Sequence, residues 1–191
     1  LAYLAASGTE EAIALCDRQF RSANNMPDTL AALTCLLNID HPDAAVVAQE
    51  ALATYYRRWS GEGLAVNQWF QVQATCSLPG ALERVRALMG HPAYDPDNPN
   101  KVRSLVGAFC SGNAVNFHRP DGEGYRLLAE QVTRLDADNP QLAARLLGPL
   151  TRWKKYPAEA ADAMRDCLRG LAASPELSRD VYEIVSKSLA S

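Results

Sequence analysis

The chain has 191 residues and a formal net charge of −3, and 48% of its residues are hydrophobic but only 7% are aromatic. This length predicts one domain over residues 1–191 that buries roughly 70% of its unfolded surface. The acidic balance argues against nucleic acid and anionic membranes as partners, because no general positive field would attract them.

The cysteines and the apolar segments indicate the cellular compartment of the protein. No CxxC pair occurs and the count is odd, a pattern that favours a reducing compartment over a disulfide framework. The apolar start is too short for a secretory signal, and no later run approaches the ~20 residues that span a bilayer. We therefore expect a soluble, cytoplasmic protein. The cysteines are Cys16, Cys35, Cys76, Cys110 and Cys167.

The first half of the chain shows helical periodicity with almost no strand alternation. Thr9 is suited to cap a helix that begins at Glu10, and a second stripe of leucines follows Asp28. Pro42 opens a longer helix that ends at the glycine-rich segment 60–63. The predicted buried stripe of this longer helix is Ala45, Ala48, Leu52, Tyr55 and Trp59.

The second half repeats one way of starting a helix. Asn98-Pro99 and Asn139-Pro140 each place a capping side chain before a proline in the first turn, and Ser174-Pro175 is a looser relative. Helices of ~10 to 16 residues with short links predict an all-α fold, a superhelical stack of antiparallel helix pairs like HEAT or armadillo solenoids. No strict sequence repeat accompanies it.

Histidine spacing gives no reason to expect a metal site. The three histidines, His41, His91 and His118, form no HExxH motif and no pair at helical spacing. His41 and His91 each precede a proline at a boundary, where we expect them to cap the backbone. The sequence predicts neither a bound metal nor a catalytic residue in this chain.

Two further patterns have a structural and a functional interpretation. Cys110 with His118 as base resembles a thiol nucleophile, but a cysteine in an apolar helix is more often simply buried. The short basic run at Arg152, Lys154 and Lys155 has aromatic neighbours that could stack on nucleic acid, yet such a run is usually a solvated helix end.

Two arginines have placements that core packing does not require. Arg103 and Gly107 are one turn apart and off the buried stripe of their helix, and Gln141 and Arg145 repeat this spacing before Gly148. A guanidinium group beside a small residue suits a carboxylate or peptide carbonyls. Spacing alone also permits ordinary surface charges.

Five segments, taken together, resemble the C-terminal domain of the bacterial aminopeptidase N family. The members of this family are zinc aminopeptidases of the gluzincin type. The likeness keeps order and spacing over nearly the whole chain. The resemblance implies a helical bowl over a separate catalytic domain that carries the zinc ligands and the catalytic glutamate. The segments are ANNMPD (23–28), NQWFQVQAT (67–75), NPNKVRSLVGAF (98–109), NFHRPDGEGY (116–125) and NPQLAARLLGPLTRWKKY (139–156).

By this resemblance Arg103, Gln141 and Arg145 line the substrate cavity. The parent protein would remove N-terminal residues from peptides with zinc, whereas this chain would bind no cofactor and cleave no substrate alone. Its expected partners are the upstream catalytic domain of the same polypeptide and peptide substrates. The alternative is a free-standing helical-repeat scaffold that binds a protein partner, which a start codon directly upstream of Leu1 would favour.

Overall fold

The computed structural model describes residues 1–190, and within this range it contains helices and no strand, which confirms the all-α prediction. A π-helical turn (Arg103–Gly107) joins α7 to α8, and a 3₁₀ segment (Leu150–Lys155) precedes α12. The helices are α1 (Ala2–Ala5), α2 (Glu10–Ser22), α3 (Met26–Leu37), α4 (Pro42–Trp59), α5 (Gly63–Ala74), α6 (Ala81–Leu88), α7 (Pro99–Val102), α8 (Ala108–Gly112), α9 (Ala114–Phe117), α10 (Glu123–Asp136), α11 (Pro140–Leu146), α12 (Ala158–Ala172) and α13 (Arg179–Ala190).

The helices belong to two compact units. The first unit is Leu1–Asp95 and contains α1 to α6, and the second begins at Pro96 and contains α7 to α13. None of the helices within residues 1–190 is long and apolar enough to cross a membrane.

Local capping accounts for most of the predicted helix starts. The side chains of Thr9, Asn98 and Asn139 each accept a hydrogen bond from a main-chain N–H of the first helical turn. The Nδ1 atoms of His41 and His91 accept from the main-chain N–H two residues later, at 3.2 Å and 3.1 Å. The predicted capping roles of both histidines are therefore confirmed.

Two local predictions are wrong. The segment around Ser174 and Pro175 forms a turn, and the last helix begins four residues later at Arg179. In α4 the buried face includes Ala44, whereas Ala45 is exposed.

The first unit is held by polar contacts inside an apolar core. The Tyr55 hydroxyl donates to the Ala65 carbonyl oxygen at 3.2 Å, and the Trp69 indole N–H donates to the Leu52 carbonyl oxygen at 3.0 Å. Both bonds join α4 to α5. Because buried donors without partners are costly, these bonds let large aromatic side chains lie in the core.

The core of the second unit centres on three aromatic rings. Phe117 packs edge to face against Phe109 and Tyr125, with ring centroids 6.2 Å and 5.2 Å apart. All three side chains are buried. This cluster fixes α9 between α8 and α10 and so positions the residues that follow Phe117.

Candidate functional site

The structure places all three predicted lining residues on the surface of the second unit. Arg103, Gln141 and Arg145 are each exposed. Gln141 and Arg145 lie one turn apart on α11, as their spacing predicts, while Leu142 and Leu146 of the same helix are buried. Exposure leaves these side chains accessible to a ligand, and their lining role stays a prediction.

Arg103 begins the π-helical turn, a feature that the sequence pattern did not indicate. Such turns insert one extra residue into a helix and occur frequently at functional sites. The guanidinium Nη1 of Arg103 donates to the Asn100 side-chain oxygen at 3.0 Å, so the side chain is held along its own helix. An ideal Cβ on Gly107 would lie 3.8 Å from the Arg103 Cβ, an ordinary contact distance, so the fit does not require glycine there.

Arg145 lines a cleft of about 280 Å³ in the second unit. Neither Arg103 nor Gln141 lies in the wall of this cleft, so the structure does not bring the three predicted residues together there. The cleft is lined by Cys110, Ser111, Ala114, His118, Arg145, Gly148, Pro149, Arg152 and Tyr156.

One wall of the cleft is a pair of stacked rings. The rings of His118 and Tyr156 lie 4.2 Å apart between centroids, with 31° between their planes. The Nδ1 atom of His118 lies 2.9 Å from the Tyr125 hydroxyl oxygen. Burial lowers the pKa of His118 from its ordinary value, which favours the neutral imidazole near pH 7.

Cys110 lies in the same cleft, but its environment opposes nucleophilic chemistry. Its side chain is buried, and this burial strongly raises the pKa of the thiol. A cysteine attacks as the thiolate, and low-pKa thiols occur next to cations or helix N-termini rather than in apolar surroundings. The structure thus supports the interpretation of Cys110 as a packed core residue.

The cleft also contains residues that sequence reasoning did not connect with Arg145. The sequence pattern places Arg152 in a basic run that is typical of a solvated helix end, and it suggests His118 only as a base for Cys110. These two residues are 34 positions apart in the chain, so no local spacing joins them. Only the packing of the 3₁₀ segment near α9 brings them to one cleft.

A cleft of about 310 Å³ in the first unit has a different electrostatic character. Its wall contains both Asp17 and Arg21, whose side chains are 2.8 Å apart in an ion pair, and Glu50, 3.8 Å from Arg21. The charges of this cleft therefore compensate one another. We find no comparable carboxylate in the wall of the Arg145 cleft.

No group of three or more His, Cys, Asp or Glu side chains in residues 1–190 is arranged to hold a metal ion. The wall of the Arg145 cleft contains one imidazole, that of His118, and one buried thiol, that of Cys110. Its charged groups are the guanidinium groups of Arg145 and Arg152. This donor set does not fit zinc, which requires three or four ligands from His, Cys or carboxylate groups.

Comparison with known families gives one match over nearly the whole chain. A family model described as "Domain of unknown function (DUF3458_C) ARM repeats" matches residues 1–190. ARM denotes armadillo, so the match confirms the predicted repeat architecture.

Three similar proteins are aminopeptidases by name. Aminopeptidase N of Escherichia coli is 42% identical over 190 residues, which cover 100% of this chain and 21% of that protein. Aminopeptidase N of Caulobacter vibrioides is 41% identical over 170 residues, 89% of this chain and 19% of that protein. The crystal structure of Legionella pneumophila aminopeptidase A in complex with aspartic acid matches with a TM-score of 0.87 and 38% identity, over 95% of this chain and 21% of that one. The chain spans about a fifth of the length of these relatives.

Proposed function

The chain belongs to the DUF3458_C ARM-repeat family, and from this membership we propose that it forms the C-terminal helical region of a zinc aminopeptidase that removes N-terminal residues from peptides. The observation that carries this proposal is the 42% identity to Escherichia coli aminopeptidase N along the whole chain. The predicted resemblance to that family is thereby confirmed. The activity itself is proposed for the longer polypeptide.

In this proposal the chain walls the substrate cavity and restricts entry to small or unfolded peptides. Arg103, Gln141 and Arg145 line that cavity and hold the part of the substrate beyond the scissile bond. Guanidinium groups form charge-assisted hydrogen bonds that are roughly twice as strong as neutral ones, so the two arginines contribute most of this positioning. Their exposure on the second unit supports the assignment.

As the family resemblance implies, we assign zinc to the upstream catalytic domain of the same polypeptide; the side chains of residues 1–190 do not fit it. Bound there, the metal would supply an activated water for peptide hydrolysis. The residues of this chain take no part in that step and act by orienting the substrate.

The proposal extends to the binding partners of the chain and to its cellular compartment. The partners are the upstream domain and peptide substrates, and neither nucleic acid nor a membrane is proposed, given the net charge of −3. The irregular cysteine spacing supports the cytoplasm as the place where the protein works.

The Arg145→Gln variant of the longer polypeptide tests the proposed function. We expect kcat/KM for tripeptides and tetrapeptides to fall about tenfold, while hydrolysis of a single-residue alanyl amide changes by less than about twofold. Arg169→Gln is the matched control, because Arg169 is an exposed arginine of the same unit that pairs with Asp166. Equal losses on both substrates would remove the lining role of Arg145, and a wild-type polypeptide without aminopeptidase activity would overturn the proposed function.

A further inference from the structure

The Arg145 cleft contains two cations that lack a protein partner. The guanidinium groups of Arg145 and Arg152 form no hydrogen bond or ion pair with another described residue, and both side chains are exposed. Five other arginines of the second unit do pair with carboxylates. These five are Arg119, Arg126, Arg134, Arg165 and Arg169.

Nothing in the cleft wall cancels the charge of the two guanidinium groups. The wall contains no Asp or Glu. Gly148 and Pro149, which follow Arg145, add no charge and little bulk. A Cβ on Gly148 would contact only the Arg145 carbonyl oxygen, at 3.7 Å, so this part of the wall is open. An anionic ligand in this cleft would therefore meet two guanidinium groups and no competing carboxylate.

The volume of the cleft and the aromatic groups in its wall limit the kinds of ligand that fit. A volume of about 280 Å³ suits one terminal residue rather than a whole peptide. The His118 and Tyr156 rings offer a planar wall, and the contact of His118 Nδ1 with Tyr125 leaves Nε2 as the ring nitrogen for a ligand. The planar fork of a guanidinium group matches a carboxylate through two parallel hydrogen bonds.

We propose that this cleft binds a carboxylate group of the peptide, with Arg145 and Arg152 as paired cations and His118 and Tyr156 as the ring wall. This inference rests on the proposed function, because it takes the ligand to be a peptide. It adds Arg152 and His118 to the site. It also predicts that peptides ending in this cleft are recognised by their charge.

Binding of three small peptides to the 191-residue chain tests the proposal. The peptides are Ala-Ala-Ala, its C-terminal amide, and Ala-Ala-Glu amide, which has only a side-chain carboxylate. Binding is followed by the NMR shifts of the His118 ring protons. We expect saturable binding of at least one carboxylate-bearing peptide, about tenfold tighter than that of the Ala-Ala-Ala amide, which has no carboxylate. Preference for the free acid identifies the terminal carboxylate, and preference for the glutamyl amide identifies a side chain.

Arg152→Gln is expected to weaken this binding about tenfold, and Arg152→Lys to restore part of it, because the lysine keeps the charge without the planar fork. Arg169→Gln should bind as the wild type does. Equal affinity for all three peptides, no binding of any, or unchanged binding by Arg152→Gln would each overturn the proposal. Carboxylate binding by the chain together with an inactive longer polypeptide would count against the proposed function alone.

Discussion

Gly124 lies directly against the main chain at Phe117. An ideal Cβ on residue 124 would be 2.3 Å from the Phe117 carbonyl oxygen and 2.9 Å from the Phe117 Cα. Main-chain atoms cannot move aside as a flexible side chain can, so only glycine permits this approach of α10 to α9. The contact sets the position of His118, the next residue in the chain.

Replacing this glycine should therefore destabilise the second unit. We expect Gly124→Ala to lower the free energy of unfolding by about 3 kcal/mol, since α10 must shift away from α9. Gly170→Ala is the matched control, because Gly170 lies in α12 with nothing within 4 Å of an added Cβ. This control should gain about 0.5–1 kcal/mol from its better helix propensity. Urea denaturation measures both, and similar stabilities of the two variants would contradict the close approach.

Asp136 holds the start of α13 from a distance of 42 residues. Its buried carboxylate accepts hydrogen bonds from the main-chain N–H of Ser178, at 2.7 Å, and from the Ser178 hydroxyl group. Asp136→Ala should cost about 2–3 kcal/mol, because both bonds are charge-assisted and partly buried. Asp138→Ala, at an exposed position two residues later, should change stability by less than about 0.5 kcal/mol. A neutral effect of Asp136→Ala in thermal or urea unfolding would show that α13 starts without this contact.

His118 should make stability depend on pH. Burial lowers the pKa of His118 in the folded chain below its unfolded value of about 6.5. The unfolded state then binds more protons, so the contribution is fully present above that unfolded value and is lost as the pH falls toward the folded value. Stability from about pH 7.5 to about pH 5.5 should thus fall more for the wild type than for His118→Asn. Parallel pH curves for the two proteins would exclude this role.

Cys110 should resist alkylation in the folded chain. Burial both shields its thiol and raises its pKa, so the reactive thiolate is scarce. With iodoacetamide near neutral pH, we expect the half-buried Cys35 and Cys167 to react before Cys110. Mass spectrometry of the peptides gives the order, and denatured chain, in which all five cysteines should react, is the control. Rapid and selective labelling of Cys110 would revive the thiol-enzyme hypothesis.

Much of the local structure was predictable because it depends on neighbours within one helical turn. The caps at Thr9, Asn98 and Asn139 each join groups two or three residues apart, and capping side chains and prolines mark such positions in any sequence. Most of the buried stripe of α4 was predictable for the same reason, since helical periodicity places Ala48, Leu52 and Tyr55 on one face. The family resemblance was readable as well, because it rests on ordered segments along the chain.

Other features depended on contacts between residues far apart in the chain. The sequence predicts a helix start near Ser174, but α13 begins at Arg179. The residue before it, Ser178, is bound by the distant Asp136. The cleft that joins Arg145 to Arg152 and His118 exists only because three segments pack together. The sequence by itself determined the helices, their caps and the family. Tertiary packing decided which exposed arginines share a cleft, since charge and periodicity specify the face of a helix but not what lies opposite it.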